Sequence, residues 1–117
     1  MKALIIDDEI DTCYLLSSIL KNKSIHSDYV NSLNDAISAL KKEDHEIIFL
    51  DNHLQDGLGI DFIHEIKKFR PTAKLIMITA NGTLSDRKKA FDQGTDFFID
   101  KPFTRDVIYQ IIDDMAV

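Results

Sequence analysis

The sequence predicts an α/β fold: a single domain built on one parallel sheet with helices on both faces. Three observations lead there. Short, solidly apolar runs (Ala3–Ile6, Ile47–Leu50 and the stretch after Lys74 to Ile78) are bounded by turn signals and read as strands buried on both faces. Segments with helical spacing alternate with them, and such alternation forces parallel strands joined by right-handed crossovers. The length, 117 residues, is enough for one domain and too little for two.

Composition narrows the function classes. Hydrophobic residues make up 44%, enough for a packed core. A net charge of −6 without any basic cluster argues against direct nucleic-acid binding and against an anionic membrane surface. Cys13 is the only cysteine, so no internal disulfide can form. The apolar start before Asp7 is too short for a signal-peptide core, and no run approaches a membrane span. The expectation is a soluble cytoplasmic unit covering residues 1–117.

Strand one, Ala3–Ile6, is apolar throughout and ends in Asp7-Asp8-Glu9. A helix over roughly 9–22 follows, with Ile10, Cys13, Leu16 and Leu20 on one face and Lys21-Asn22-Lys23-Ser24 as its stop. Ile25–Val30 is a more polar strand, suited to a sheet edge. Ser32 is the N-cap of a second helix, with Leu33, Ala36, Ile37 and Leu40 at i, i+3, i+4 and i+7. Strand three, Ile47–Leu50, delivers Asp51. Gly57 and Gly59 then open a third helix with Leu58, Phe62, Ile66 and Phe69 on one stripe, ended by Pro71.

The fourth strand, Lys74–Ile78, ends in Thr79-Ala80-Asn81-Gly82. The helix after it, roughly 84–93, has little apolar grip: Asp86, Arg87, Lys88 and Lys89 crowd between Leu84 and Phe91, so it can shift cheaply. Gly94 fits a C-cap. Phe97–Ile99 is a short fifth strand, followed by Asp100-Lys101-Pro102. Thr104 caps a last helix with Val107, Ile108, Ile111, Ile112 and Met115 inward. Asp113 and Asp114 in its final turn oppose the helix dipole, and the sequence offers no reason for them. The most apolar strands, one, three and four, belong in the middle. The order 2-1-3-4-5 satisfies this and is that of a doubly wound, flavodoxin-like (βα)5 domain.

Open sheets of this kind bind ligands at the carboxyl edge of the strands. Strand one brings Asp7 and Asp8 there, strand three Asp51, strand four Thr79 and strand five Lys101. Strands one and three are neighbours about 4.8 Å apart. Three converging carboxylates raise one another's pKa unless a positive charge intervenes. A hard divalent cation such as Mg²⁺, which prefers oxygen ligands and retains waters for phosphate oxygens to replace, answers that need. Phe98, His53 and Asn81 flank the cluster. Cys13 fits the inward face of the first helix, and His26, His45 and His64 form no spaced cluster for zinc.

Taken together, Asp7-Asp8-Glu9 after an apolar strand, Asp51 closing the third, Asp56-Gly57-Leu58-Gly59, Thr79-Ala80 and Lys101-Pro102-Phe103 resemble the receiver domain of two-component response regulators. The likeness runs over essentially the whole chain, with one departure: Gln55 stands where the family usually carries Pro. The resemblance implies that Asp51 accepts a phosphoryl group from a sensor histidine kinase or a histidine phosphotransfer protein. Asp8, Asp51 and the backbone carbonyl of His53 would hold Mg²⁺ directly, and Asp7 through water. Lys101 would contact one phosphoryl oxygen, Thr79 would bond another, and Phe98 would act as the switch aromatic. The altered face, formed by the fourth helix, fifth strand and fifth helix, would meet a downstream protein, a fused output domain or a second copy of the chain. Such a domain is a switch that catalyses its own phosphorylation and hydrolysis rather than an enzyme. It stands alone or belongs to a longer regulator. A phosphohydrolase resembling the haloacid-dehalogenase superfamily would place its nucleophile after strand one in an Asp-x-Asp pattern, which this chain lacks. A flavin site would need a phosphate-cradling loop where Asp7-Asp8-Glu9 stands.

Overall fold

The computed structural model describes residues 1–115. Its main sheet has five strands: β1 (Lys2–Ile6), β2 (His26–Val30), β3 (Ile47–Asp51), β4 (Lys74–Thr79) and β5 (Phe97–Asp100). All pairings are parallel, in the order β2-β1-β3-β4-β5. The helices are α1 (Ile10–Lys21), α2 (Leu33–Lys42), α3 (Ile63–Phe69), α4 (Leu84–Gln93) and α5 (Arg105–Met115). One feature was not expected. A two-residue antiparallel ladder pairs His53–Leu54 with Gly57–Leu58, so that counted through the chain the sheet uses the first, second, third, sixth and seventh strands.

Strand side chains alternate between faces, and the core divides accordingly. Leu4, Ile6, Ile48, Leu50, Leu75 and Met77 pack under α2, α3 and α4, with Leu40, Ile63, Ile66 and Ala90 as partners. Ala3, Ile5, Ile47, Phe49, Ile76 and Ile78 pack under α1 and α5, with Cys13, Leu16, Leu20, Ile108 and Ile111. Every residue of β3 is buried, whereas β2 is half-exposed, as a central and an edge strand should be.

Three helix faces differ from expectation. In α1 the buried set is Cys13, Leu16, Ile19 and Leu20, while Ile10, in the first turn, is 40% exposed. After Gly57 the chain does not enter a helix directly. Leu58 belongs to the ladder and is 45% exposed, a 3₁₀ turn spans Gly59–Phe62, and Ile60, Ile63 and Ile66 fill the core while Phe62 and Phe69 lie at its margin. In α5 Val107 turns outward, and Ile108 and Ile111 carry the packing. The acidic end of α5 gains a partner: Lys23, just beyond α1, reaches Asp113 at 3.1 Å.

The thin grip of α4 is observed. Only Ala90 is buried, Leu84 is 86% exposed, and Phe91 is largely open. A capping box between Thr83 and Asp86 and a left-handed Gly94 hold its ends, so local bonds more than burial define this helix.

Candidate functional site

Parallel register brings the ends of β1, β3, β4 and β5 to one edge. Asp51 closes β3 opposite Ile78, which places Thr79 one residue further along β4 and opposite Asp100 of β5. Asp7, Asp8 and Asp51 each offer a carboxylate oxygen to a group whose members all lie within 4.8 Å of one another. Asp7 and Asp51 are buried; Asp8 is exposed. Lys101 faces them, with Nζ 3.0 Å from Asp7 Oδ2 and 3.7 Å from Asp51 Oδ1. The backbone N–H of Lys101 donates to the carbonyl of Thr79 at 2.8 Å, which fixes the lysine's starting point beside β4, and the Lys101–Pro102 peptide is cis.

One lysine does not balance these acids. Burial raises the pKa of Asp51 to about 6, helped by the charge of Asp7 and opposed by Lys101. Burial likewise raises Asp7, although the Glu9 N–H and Lys101 both favour its charged form. Lys101 is moved in the complementary sense. Burial lowers its pKa, but hydrogen bonds to Glu9 and Asp7 outweigh burial and leave it raised. The donors are all oxygen, the charge is uncompensated, and Asp8 opens the cluster to solvent. These residues fit a hard divalent cation.

The surrounding loops are tied back to the scaffold. Asn31 Nδ2 donates to the Asp7 carbonyl at 2.8 Å, and the Cys13 thiol approaches the same oxygen at 3.5 Å. Asn52 is buried, and its Oδ1 accepts from the Ile60 N–H at 3.0 Å. The Asp56 carboxylate accepts from the N–H groups of Leu33 and Asn34 at 2.9 and 3.0 Å, and these bonds lower its pKa. It thus holds the loop after Asp51 against the start of α2, a task that complements the free donors of a helix N-terminus. A Cβ at Gly59 would come within 2.3 Å of the Asp51 carbonyl oxygen, so only glycine lets the chain cross behind the acid.

The remaining expected residues are where their strands put them. Thr79 is buried, and its hydroxyl has one neighbour at the limit of bonding, His53 Nδ1 at 3.5 Å. The His53 side chain is exposed. Phe98 is 8% exposed and points inward, with the Arg87 guanidinium 5.3 Å above its ring. A Cβ at Gly82 would meet both Phe98 and Thr79 at 2.9 Å, so the β4–α4 loop lies directly against the two.

The family model for the response regulator receiver domain matches residues 3–113. The chain belongs to this family. Among curated relatives, the transcriptional regulatory protein GlrR of Escherichia coli (strain K12) is 29% identical over 95% of this chain and 25% of its own length. The sensory transduction protein LytR of Staphylococcus saprophyticus is 33% identical over 96% of this chain and 44% of its own. The receiver therefore spans less than half the length of these relatives. Among solved structures, a two-component response regulator from Clostridium difficile superposes with a TM-score of 0.94 at 26% identity, covering 99% of this chain and 95% of that one. The solution structure of the beryllofluoride-activated NtrC4 receiver domain dimer gives 0.91 at 32% identity, covering 97% and 93%. No helix among the described residues is long and apolar enough to cross a membrane.

Two features of the receiver were missed in the sequence. Glu9 reaches Lys101 at 2.7 Å, and the signal was present as a third acid directly after Asp7-Asp8. His45 does have acidic neighbours: Asp28, Glu43 and His45 form a second group of ligand-type side chains. The ammonium of Lys2 sits between the two acids, 3.3 Å from Asp28 and bonded to Glu43, so a cation already fills it.

Proposed function

We propose that this receiver is a phosphorylation switch in which Asp51 is the phosphoacceptor. The observation that carries the reading is the convergence of three carboxylates and one half-buried lysine on the sheet edge where β3 ends. An Asp51 oxygen attacks the phosphorus of a phosphohistidine or a small acyl phosphate. The new O–P bond forms as the donor's N–P or O–P bond breaks, and the leaving group departs with that electron pair. The product is an aspartyl phosphate. Such transfers spread negative charge over the equatorial oxygens, so catalysis consists of positioning and electrostatics.

Asp8, Asp51 and the His53 carbonyl would hold Mg²⁺, with Asp7 acting mainly through water; when bound, the ion supplies positive charge beside the transferring oxygens. Lys101 supplies charge from the other side, and the Thr79 hydroxyl is a neutral donor to a third oxygen. The phosphoryl group adds about one to two negative charges. Drawing Thr79 towards it pulls on the loop packed against Phe98, and α4, with one buried residue, is the element that yields. The resulting face of α4, β5 and α5 would act on a target protein, a fused output domain or a second copy. A sensor histidine kinase or phosphotransfer protein is the donor. The whole chain, 1–117, acts as one such unit in the cytoplasm and turns over no external substrate beyond its own phosphorylation cycle.

The test is incubation with Mg²⁺ and a small acyl phosphate, followed by intact mass measurement. One hydroxylamine-labile phosphoryl group is expected on the native chain and none on Asp51→Asn. Steady phosphate release from many esters by Asp51→Asn would overturn the reading.

A further inference from the structure

Glu9 stands at this edge with no task in the reading above. It is the N-cap residue of α1, with φ −90° and ψ 108°, yet its side chain caps nothing. Glutamate is a poor choice there; Ser, Thr, Asp or Asn would bond the helix's free N–H groups. Its carboxylate instead crosses to β5. Oε1 lies 2.7 Å from Lys101 Nζ, nearer than Asp7 at 3.0 Å or Asp51 at 3.7 Å. The Glu9 N–H also donates to Asp7 Oδ1 at 2.9 Å, so Glu9 holds both the lysine and the lysine's other partner.

An ammonium carries three N–H donors. Glu9 and Asp7 engage two, which leaves the third for the side of Asp51, whose oxygen stands just outside hydrogen-bond range. The two anchors differ in kind. Asp7 belongs to the carboxylate group that suits a cation, and a cation drawing on its oxygens weakens its hold on the lysine. Glu9 lies outside that group, and its side chain is 61% exposed.

We propose that Glu9 is the positioning residue for Lys101: its carboxylate anchors Nζ so that a free N–H faces the phosphoryl oxygens arriving on Asp51, and it keeps that anchor while Asp7 serves the cation. The proposal rests on the phosphoacceptor reading of Asp51. Glu9 touches neither donor nor phosphoryl group; it acts through the lysine.

Two measurements test it. The first is the rate of phosphorylation by acetyl phosphate with Mg²⁺, read by intact mass, for the native chain, Glu9→Ala, Glu9→Gln, Lys101→Ala and the double variant Glu9→Ala/Lys101→Ala. Glu9→Ala is expected to slow labelling about tenfold, the rate equivalent of one charge-assisted hydrogen bond. Glu9→Gln keeps an acceptor oxygen and should recover most of the rate. On the Lys101→Ala background, Glu9→Ala should change nothing, because its partner is gone. The second is NMR of the lysine ε-methylene protons in the cation-free chain. Lys101 should give two resolved ε-protons in the native protein and an averaged pair in Glu9→Ala. Native rate and unchanged ε-protons in Glu9→Ala would overturn the proposal, as would an equal slowing with and without Lys101. Failure of the native chain to label at all sinks the phosphoacceptor reading instead, and the NMR arm still decides whether Glu9 orders Lys101.

Discussion

Among the described residues of the receiver, two groups of ligand-type side chains each meet a lysine, one of them including a histidine, and they behave in opposite ways. At the far edge, Lys2, Asp28, Glu43 and His45 interlock: Lys2 bonds both acids, and His45 Nε2 lies 3.1 Å from Asp28. Burial would raise Asp28, but the hydrogen bonds from His45 and Lys2 prevail and lower its pKa. At the carboxyl edge, Asp7 and Asp51 stay raised despite Lys101. Both clusters offer three ligand-type side chains. The difference lies in solvent and in charge balance. Asp28 and Glu43 are 41% and 48% exposed at the side chain, whereas Asp7 and Asp51 are 3% and 5% exposed and have Asp8 beside them. A cluster whose acids are matched by a cation braces the fold, and one whose acids are not is poised to take up positive charge.

That contrast can be broken from either side. Removing the lysine is expected to have the largest effect. Lys101→Ala leaves two buried carboxylates without their countercharge and should cost about 3–5 kcal/mol of stability in cation-free buffer at pH 7, measured by urea unfolding. Lys2→Ala, at the exposed cluster, should cost at most about 1 kcal/mol.

Next in size is Asp51→Asn, which should raise stability. The folded-state pKa of Asp51, about 6, lies above its usual 3.8. Between those values the native state binds more protons than the unfolded chain, so this residue's contribution declines as pH rises through that window and stays unfavourable above about 6. Replacing the acid at pH 7 should gain roughly 1–2 kcal/mol after allowance for solvent screening, and the gain should vanish near pH 4. A stability profile parallel to the native one across pH 4–7 would contradict the raised pKa.

Divalent cation sharpens the comparison further. Millimolar Mg²⁺ should raise the melting temperature of the native chain by a few degrees through binding linkage and leave Asp51→Asn nearly unmoved. Glu43→Gln should respond as the native chain does; equal loss of response in both variants would place the cation at the wrong cluster. The smallest effect belongs to Asp28→Asn. A depressed carboxylate stabilises above its unfolded pKa and loses that contribution as pH falls through the folded value. The variant should therefore be slightly less stable than the native chain at pH 7, and the difference should fade as pH falls below the usual carboxylate range.

Much of this was legible in the residues. The all-apolar Ile47–Leu50 demanded a central strand, the mixed Ile25–Val30 an edge, and four strand ends placed Asp7, Asp51, Thr79 and Lys101 on one rim. The poor apolar stripe of α4 was plain because its charged residues are contiguous. Other features were hidden because they depend on where a chain turns in space. The glycines after Asp51 suggest the start of a helix, but the ladder of His53–Leu54 with Gly57–Leu58 comes first and carries Leu58 outward. The periodicities that put Ile10 and Val107 inward were sound as patterns, but in α5 the neighbouring Ile108 takes the core-facing place and Val107 is left open, and in α1 the buried face begins at Cys13.

The sequence by itself determined the alternation of strands and helices, the strand order, and which chemical groups stand at the carboxyl edge, because hydrophobic period and strand ends are local properties. Only the tertiary structure decided which acid each lysine meets. Lys101 lies 92 residues from Glu9, and Asp56 lies 23 and 22 from the two N–H groups it caps. Such pairs have no spacing to read: the first exists because β5 and β1 end at the same rim, with β3 and β4 between them, and the second because the loop after β3 meets the start of α2. Whether a cluster of acids is balanced or left wanting a cation depends on burial and distance in three dimensions, and no count of charges along the chain contains either.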